Sequence, residues 1–163
     1  MVNGKLRNMA TIYIKKDNKL LLLDRIGSKV VNRSWCGVGG HFEPDEVNDA
    51  KAAVLREMNE EIGLTANDLN NLDLRYIALR LINNELRINY YFFADLKDNA
   101  KINYDCNEGI LEWVSFDEAN NRKMPYTAQK VIAHYLETGI HTDDFYSVTV
   151  DDKNTNIIPM EVS

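Results

Sequence analysis

The sequence predicts an α/β fold of the α+β type, in which hairpin-joined strands are mixed with a small number of helices. One observation is that short polar turns, Lys16-Asp17-Asn18 and Asn83-Asn84, separate pairs of apolar segments. Another is that residues 49–62 and 125–138 carry apolar side chains at helical spacing. No repeat or linker interrupts the 163 residues, so we expect a single domain over residues 1–163.

The first strands are expected on either side of the Lys16-Asp17-Asn18 turn. Met9 to Lys15 is partly β-branched and alternating, which favours a strand. Lys19 to Arg25 contains four consecutive leucines, and such a run is typical of a strand that is buried on both faces. Ile26 to Ser34 is polar and predicts a loop, in which Lys29 and Arg33 are either ligand contacts or plain solvated charges.

The first helix is expected from about Asp49, which can cap its start, to Gly63, which can end it. Three glutamates, Glu57, Glu60 and Glu61, fall on one face near its C-terminus. They repel one another, and the helix dipole disfavours negative charge at that end. A solvated acidic face is the ordinary explanation. A divalent cation such as Mg²⁺ or Mn²⁺ explains the cluster better, because these ions prefer carboxylate oxygens.

The second half predicts a hairpin, a strand, a helix and a final hairpin. These elements are Leu72 to Ile82 with Glu85 to Leu96, then Ile110 to Ser115, a helix that begins at Pro125 and stops at Gly139, and strands over 144–150 and 155–160. The last hairpin, about 144–161, is expected to be a C-terminal extension. Tyr13, Tyr90, Tyr91, Phe93 and Trp113 either fill the core or stack on a base.

Composition limits the classes of function. The formal charge of −6 argues against a partner that is a polymeric nucleic acid, but a small nucleotide escorted by a divalent metal is compatible with it. Two cysteines give no disulfide framework, and the sequence shows neither a signal peptide nor a membrane span. We therefore expect a cytoplasmic protein that does not bind membranes and is a monomer or homodimer.

The segment from Gly40 to Leu64 resembles the Nudix box. Gly40 and Glu46 are separated by five residues, and the run Arg56-Glu57-Met58-Asn59-Glu60-Glu61-Ile62-Gly63-Leu64 fits the second half of the pattern. Nine residues separate Glu46 from Arg56, where the usual box has seven, and the extra two are expected around Val47 to Asp49. The resemblance implies the Nudix fold, a mixed sheet sandwiched between helices, over about residues 5–140.

The resemblance also implies catalytic residues. Glu57, Glu60, Glu61 and the carbonyl of Gly39 would bind Mg²⁺, or Mn²⁺ in its place, and Arg56 would orient the glutamates. Glu108 precedes a Glu-Trp strand, as in related nucleotide pyrophosphohydrolases, and would assist as a metal ligand or proton acceptor; its alternative is a solvated loop residue. Glu112 is expected to be structural, as are His41, His134 and His141, although His41 is close enough to the glycine pair to touch substrate.

Substrate contacts are implied by position. Trp35-Cys36-Gly37-Val38-Gly39-Gly40 is similar to the motif of Nudix enzymes that sanitise oxidised purine nucleotides, the MutT/MutX-type 8-oxo-dGTP diphosphatases. The candidate substrate contacts are Arg25, Trp35, Cys36, Gly40 and His41. The resemblance implies hydrolysis of a nucleoside triphosphate, such as 8-oxo-dGTP, to monophosphate and pyrophosphate. A nucleotide sugar or dinucleotide is the alternative substrate, and a non-catalytic nucleotide sensor is the alternative function.

Overall fold

A computed structural model describes residues 2–25 and 34–163, so the candidates Lys29 and Arg33 lie outside the described residues. The strands are β1 (Lys5–Lys16), β2 (Lys19–Arg25), β3 (Ser34–Cys36), β4 (Val38–His41), β5 (Leu69–Ile82), β6 (Glu85–Leu96), β7 (Ile110–Ser115), β8 (Phe145–Val150) and β9 (Thr155–Met160). The helices are α1 (Ala50–Ile62), α2 (Phe116–Ala119) and α3 (Tyr126–Glu137), with 3₁₀ turns at Pro44–Glu46, Ala66–Asp68 and Gly139–His141.

The described strands form one mixed sheet in the order β3-β2-β1-β6-β5-β8-β9. Strand β1 lies near its middle and pairs in parallel with β6 along almost its whole length. β1 also pairs antiparallel with β2 at its C-terminal end and with β4 at residues 9–12, in its middle, while β7 pairs with β2. The long strand β1 therefore connects the glycine-rich strand β4 to the large β5–β6 hairpin.

Helices cover both faces of this sheet, which confirms the predicted fold class. Leu21 and Leu23 of β2 pack on the face covered by α1, through Val54 and Met58. Leu20 and Leu22 pack on the opposite face, in the cluster that contains the apolar side of α3. All four leucines are almost completely buried, so the prediction of a strand buried on both faces is confirmed.

The ends of α1 follow from its sequence. The Asp49 side chain accepts a hydrogen bond from the backbone N–H of Ala52 at 2.9 Å, and Gly63 adopts the left-handed conformation, with φ of 72°, that ends the helix. The two residues before Asp49, Val47 and Asn48, form a turn between the 3₁₀ turn and the helix. The longer spacer is therefore accommodated outside α1.

The predicted hairpins are present, with small changes at their ends. Asn83 and Asn84 have positive φ angles of 51° and 64°, as a two-residue hairpin turn requires. The C-terminal strands belong to the same sheet, because β8 pairs in parallel with β5 and β9 pairs with β8. Pro125 is the N-cap of α3 and not its first residue. In the described ranges, no helix is both long and apolar enough to cross a membrane.

Candidate active site

Strand β4 brings two glycines against β1 and α1. Gly39 pairs with Thr11, and a Cβ at Gly39 would collide with the carbonyl oxygen of Ala10. A Cβ at Gly40 would lie only 2.6 Å from Oε1 of Glu57. Glycine at both positions therefore lets β4 pair closely with β1 and lets the Glu57 carboxylate rest directly on β4.

Arg56 organises the acidic groups around it. Its Nε and Nη2 atoms donate to Oε1 and Oε2 of Glu46 at 2.6 and 2.9 Å, and its Nη1 donates to Glu57 at 2.9 Å and Glu60 at 3.2 Å. Glu46 is only 6% exposed, and the hydrogen bond from Arg56 lowers its pKa. Arg56 also donates to the carbonyl of His41 at 3.0 Å. Arg56 therefore contacts three glutamates at once, and its orienting role stays a prediction.

Glu61 carries the most strongly perturbed carboxyl of this helix face. Its Oε2 atom is buried and has no hydrogen-bond partner among the described residues. Burial raises the pKa of Glu61 to about 7; Arg25 opposes the rise, while the charges of Glu57 and Glu108 add to it. A buried carboxylate oxygen without a partner is costly. Glu61 therefore offers an oxygen for which a cation would be a favourable partner.

Arg25 and Glu108 approach the cluster from β2 and from the loop before β7. Arg25 ends β2, and its Nη2 donates to the Gly39 carbonyl at 3.3 Å. Glu108 is exposed, and its neighbour Gly109 lies so close to the Asp24 carbonyl that a Cβ there would collide with it. The close packing of Gly109 explains how Glu108 comes near Arg25 and Glu61.

The donor set suits a hard divalent cation. It consists of carboxylate oxygens from Glu57, Glu60, Glu61 and Glu108 and the Gly39 carbonyl, which are ligands that Mg²⁺ prefers. Within residues 2–25 and 34–163, no three His, Cys, Asp or Glu side chains already converge as a metal site would require. Glu57 and Glu60 are instead hydrogen-bonded to Arg56. The residues therefore fit the ion in chemistry, and the unpartnered oxygen of Glu61 is the strongest sign of it.

A cavity of about 270 Å³ adjoins this cluster on the α3 side of the sheet. Arg25, Cys36 and Gly39 line the end nearest the glutamates, and residues 125–128 of the α3 start close one side. Burial raises the pKa of the Cys36 thiol, so this end of the cavity carries a neutral thiol beside the Arg25 guanidinium. The volume is near the lower limit for pockets that enclose small ligands, about 300 Å³.

Trp35 and His41, which were predicted to contact substrate, do not line the cavity. Trp35 packs on the α3-side core beneath the guanidinium of Arg122, 4.5 Å from the ring centroid. His41 is exposed and its Nε2 accepts a hydrogen bond from Arg7 at 2.6 Å. Partial desolvation of the imidazole, together with the Arg7 charge, lowers the pKa of His41. Glu112 forms an ion pair with Arg122 at 3.1 Å.

Sequence reasoning missed three arginines of the cavity wall. Arg7, Arg80 and Arg87 all line the cavity, together with Asn89. Arg80 and Arg87 each lie between two apolar residues of their strands, and Arg7 follows Leu6, which is the one signal that the sequence offered. The strand register that brings them together involves long-range pairing between β1, β5 and β6, which local patterns do not reveal.

Comparisons with known proteins agree with this fold. A family model described as NUDIX domain matches residues 5–135. The chain is similar to the MutT protein from Bacillus halodurans, with 20% identity and a TM-score of 0.70 over 93% of this chain and 97% of that one. It is also similar to the MutT protein from Methanosarcina mazei Go1, with 21% identity and a TM-score of 0.65 over 87% and 100% of the two chains.

A third similar structure is an Ap4A hydrolase from C. elegans, with 16% identity and a TM-score of 0.63 over 85% of this chain and 99% of that one. At these identities the structural likeness shows the fold alone. The family match covers most of the chain and includes the Gly40–Leu64 segment, so the resemblance found in the sequence is confirmed. The chain belongs to the NUDIX domain family, whose hydrolases act on pyrophosphate bonds of small nucleotides and generally require a divalent metal ion.

Proposed function

We propose that this protein hydrolyses a phosphoanhydride bond of a small nucleotide in a Mg²⁺-dependent reaction. The first candidate is a nucleoside triphosphate, such as 8-oxo-dGTP, cleaved to the monophosphate and pyrophosphate. The observation that carries the proposal is the buried, unpartnered Oε2 of Glu61, which lies near further carboxylates and near Arg25, an arginine that also lines the cavity.

Phosphoanhydrides resist hydrolysis because negative oxygens repel the attacking water. When bound, Mg²⁺ supplies positive charge that offsets the phosphate oxygens and lowers the pKa of bound water. In this chain Glu57, Glu60 and Glu61 would hold the ion with the Gly39 carbonyl and Glu108, and Arg56 would fix the orientation of the glutamates. Arg25 would contact a phosphate, since its guanidinium lies at the cavity end that faces Glu61.

Glu57 is the candidate proton acceptor. Its side chain is 15% exposed and lies on Gly40, with Oε1 held by Arg56. A carboxylate in this position can act as ligand and as base, and Glu108 would assist from the loop. Cys36 lines the cavity, and His41 contacts the cavity residue Arg7, whereas Gly40 lies against Glu57 outside the cavity lining.

The second candidate substrate is a nucleoside diphosphate derivative, such as a nucleotide sugar or dinucleotide. The basic floor of the cavity favours it, because four arginines line a space that a neutral base alone would not require. A non-catalytic sensor is disfavoured, because a domain of that kind would be expected to lose box glutamates and this chain retains all of them.

A substrate panel at fixed Mg²⁺ separates the two candidates. The panel should contain dGTP, 8-oxo-dGTP, a nucleotide sugar and a dinucleoside polyphosphate, with products identified by chromatography. We expect release of a nucleoside monophosphate from at least one of them. Hydrolysis of none, with tight binding of the same compounds, would favour the sensor.

A further inference from the structure

Three arginines on neighbouring strands line the cavity side by side. Arg7 of β1 pairs in register with Arg87 of β6, and Arg87 pairs in register with Arg80 of β5. All three line the cavity on the α3 side of the sheet. We call Arg7, Arg87 and Arg80 the arginine row.

The arginine row is incompletely neutralised. Arg87 is paired with Glu85 at 3.1 Å, and Arg80 is paired with Asp152, a turn residue whose side chain is 91% exposed. Arg7 donates to the imidazole of His41 at 2.6 Å, and this partner is not a carboxylate. Like charges directly opposite each other on a sheet destabilise it, and exposed ion pairs offset this only slightly. A row that local electrostatics disfavours is well explained by an anionic ligand.

The start of α3 adds further groups that attract an anion. Pro125, the N-cap, has no side chain that could accept from the first backbone N–H groups of α3. Thr127 and Ala128, in the first turn of this 12-residue helix, line the same cavity as the arginine row. Helix N-termini with free N–H groups favour negative charge. Tyr126 contacts the Arg80 guanidinium at 5.1 Å from the ring centroid, which holds Arg80 beside the helix start.

The arginine row lies several residues along β1 from the position opposite Gly39. Gly39 pairs with Thr11, and Arg7 is four residues before Thr11 on β1. At about 3.3 Å per residue, the backbone of the row is roughly 13 Å from the position opposite Gly39. Phosphates held beside Gly39 and Glu61 therefore leave the row free for a different group of the same substrate.

We propose that the arginine row binds a phosphate group at the end of the substrate remote from the bond that is cleaved. The arginine row thus favours the second candidate substrate over the nucleoside triphosphate: a nucleoside diphosphate derivative that carries an additional phosphate remote from its pyrophosphate. The inference rests on the proposed function, because it assigns the cavity to the substrate of the hydrolysis. Guanidinium groups match phosphate oxygens in geometry as well as in charge.

Binding in EDTA tests the row without turnover. Two matched ligand pairs differ only in a phosphate remote from the pyrophosphate: NADPH with NADH, and coenzyme A with 3′-dephospho-coenzyme A. Titration calorimetry should show the phosphorylated member of at least one pair binding about tenfold or more tighter to the wild type, as expected for charge-assisted hydrogen bonds. Arg87→Gln and Arg80→Gln should each reduce that ratio to less than about threefold.

Lys16→Gln is the matched control, because it removes one positive charge from the far end of β1, where Lys16 pairs with Asp98. It should keep the wild-type ratio. Thermal melts should show the row variants to be at least as stable as the wild type, since they relieve repulsion.

No preference in either pair, or a preference that survives both row substitutions, would overturn the assignment. The assignment would also be overturned if the row variants lost only a preference for dGTP over dATP, because the arginine row would then recognise the edge of a base and not a phosphate. The protein could bind the phosphorylated ligands selectively in EDTA and yet hydrolyse no nucleotide with Mg²⁺. That result would support phosphate binding by the arginine row and contradict the proposed function instead.

Discussion

Arg56 and Glu46 form a two-point ion pair that ties the middle of α1 to the 3₁₀ turn before it. Nε and Nη2 of Arg56 donate to the two oxygens of Glu46 at 2.6 and 2.9 Å, and Glu46 is almost fully buried. The same guanidinium uses Nη1 for Glu57 and Glu60. A contact that stabilises the fold thus also sets the orientation of two candidate metal ligands.

Breaking the Arg56–Glu46 pair should destabilise the protein strongly. Arg56→Ala leaves the buried Glu46 carboxylate without its cation, and such a loss typically costs about 3 kcal/mol. Chemical denaturation of Arg56→Ala, Glu46→Ala and the double variant measures the coupling. We expect a coupling free energy of at least about 1 kcal/mol. Additive effects of the two substitutions would show that the pair contributes nothing to stability.

Gly40→Ala should damage activity and spare the fold. The new Cβ would meet the end of the flexible Glu57 side chain, 2.6 Å away, so Glu57 must move. We expect a loss of about tenfold or more in kcat/KM, roughly 1.4 kcal/mol of barrier. Gly39→Ala is the contrasting variant. Residue 39 has a φ of 153° and lies against the Ala10 backbone, so a side chain there should prevent folding. Full activity in Gly40→Ala would mean that Glu57 need not lie on β4.

Magnesium should stabilise the wild-type protein and not the Glu61→Gln variant. The unpartnered Oε2 of Glu61 is a costly group that a cation would satisfy. A ligand that binds only the folded state at 100 times its dissociation constant adds about 2.7 kcal/mol. Melting curves with and without Mg²⁺ show the difference. An equal shift in wild type and variant would remove Glu61 from the ligand set.

Stability should fall as the pH drops below about 6.5, in part because of His134. Its Nδ1 is 2.9 Å from the Tyr76 hydroxyl, and burial lowers its pKa. The unfolded chain then takes up the proton more readily than the folded protein, so the stabilisation is complete above the unfolded pKa and lost below it. The effect should not exceed about 1 kcal/mol, since the ring is partly exposed. Melts at pH 7.5 and 5.5 should show a smaller loss for His134→Gln than for the wild type.

Local patterns predicted the elements that local chemistry determines. Leu20 to Leu23 indicated burial on both faces, Asn83-Asn84 indicated the hairpin, and Asp49 and Gly63 marked the ends of α1. Strands β3 and β4 were not predicted, because the Trp35–Gly40 segment is rich in glycine and does not alternate. Their pairing depends on distant residues of β1 and β2.

The candidate site divides in the same way. The glutamates of α1 share one helix, so their spacing alone indicated a cluster. The arginine row joins residues 7, 80 and 87, which become neighbours only through the parallel register of β1 with β6 and the antiparallel register of β6 with β5. Glu46 lies outside α1. Its hydrogen-bonded pair with Arg56 depends on the turn of Val47 and Asn48, which brings the two side chains together.

The most direct measurement is the rate of phosphoanhydride hydrolysis by wild type and Glu57→Gln, each with Mg²⁺ and with excess EDTA. The substitution keeps the size of the side chain on Gly40 and removes its charge. We expect the wild-type rate to disappear in EDTA and Glu57→Gln to lose at least about tenfold in kcat, or 1.4 kcal/mol of barrier. A wild-type rate that is unchanged in EDTA, or a variant as fast as the wild type, would contradict the proposal that these glutamates act through a bound divalent ion.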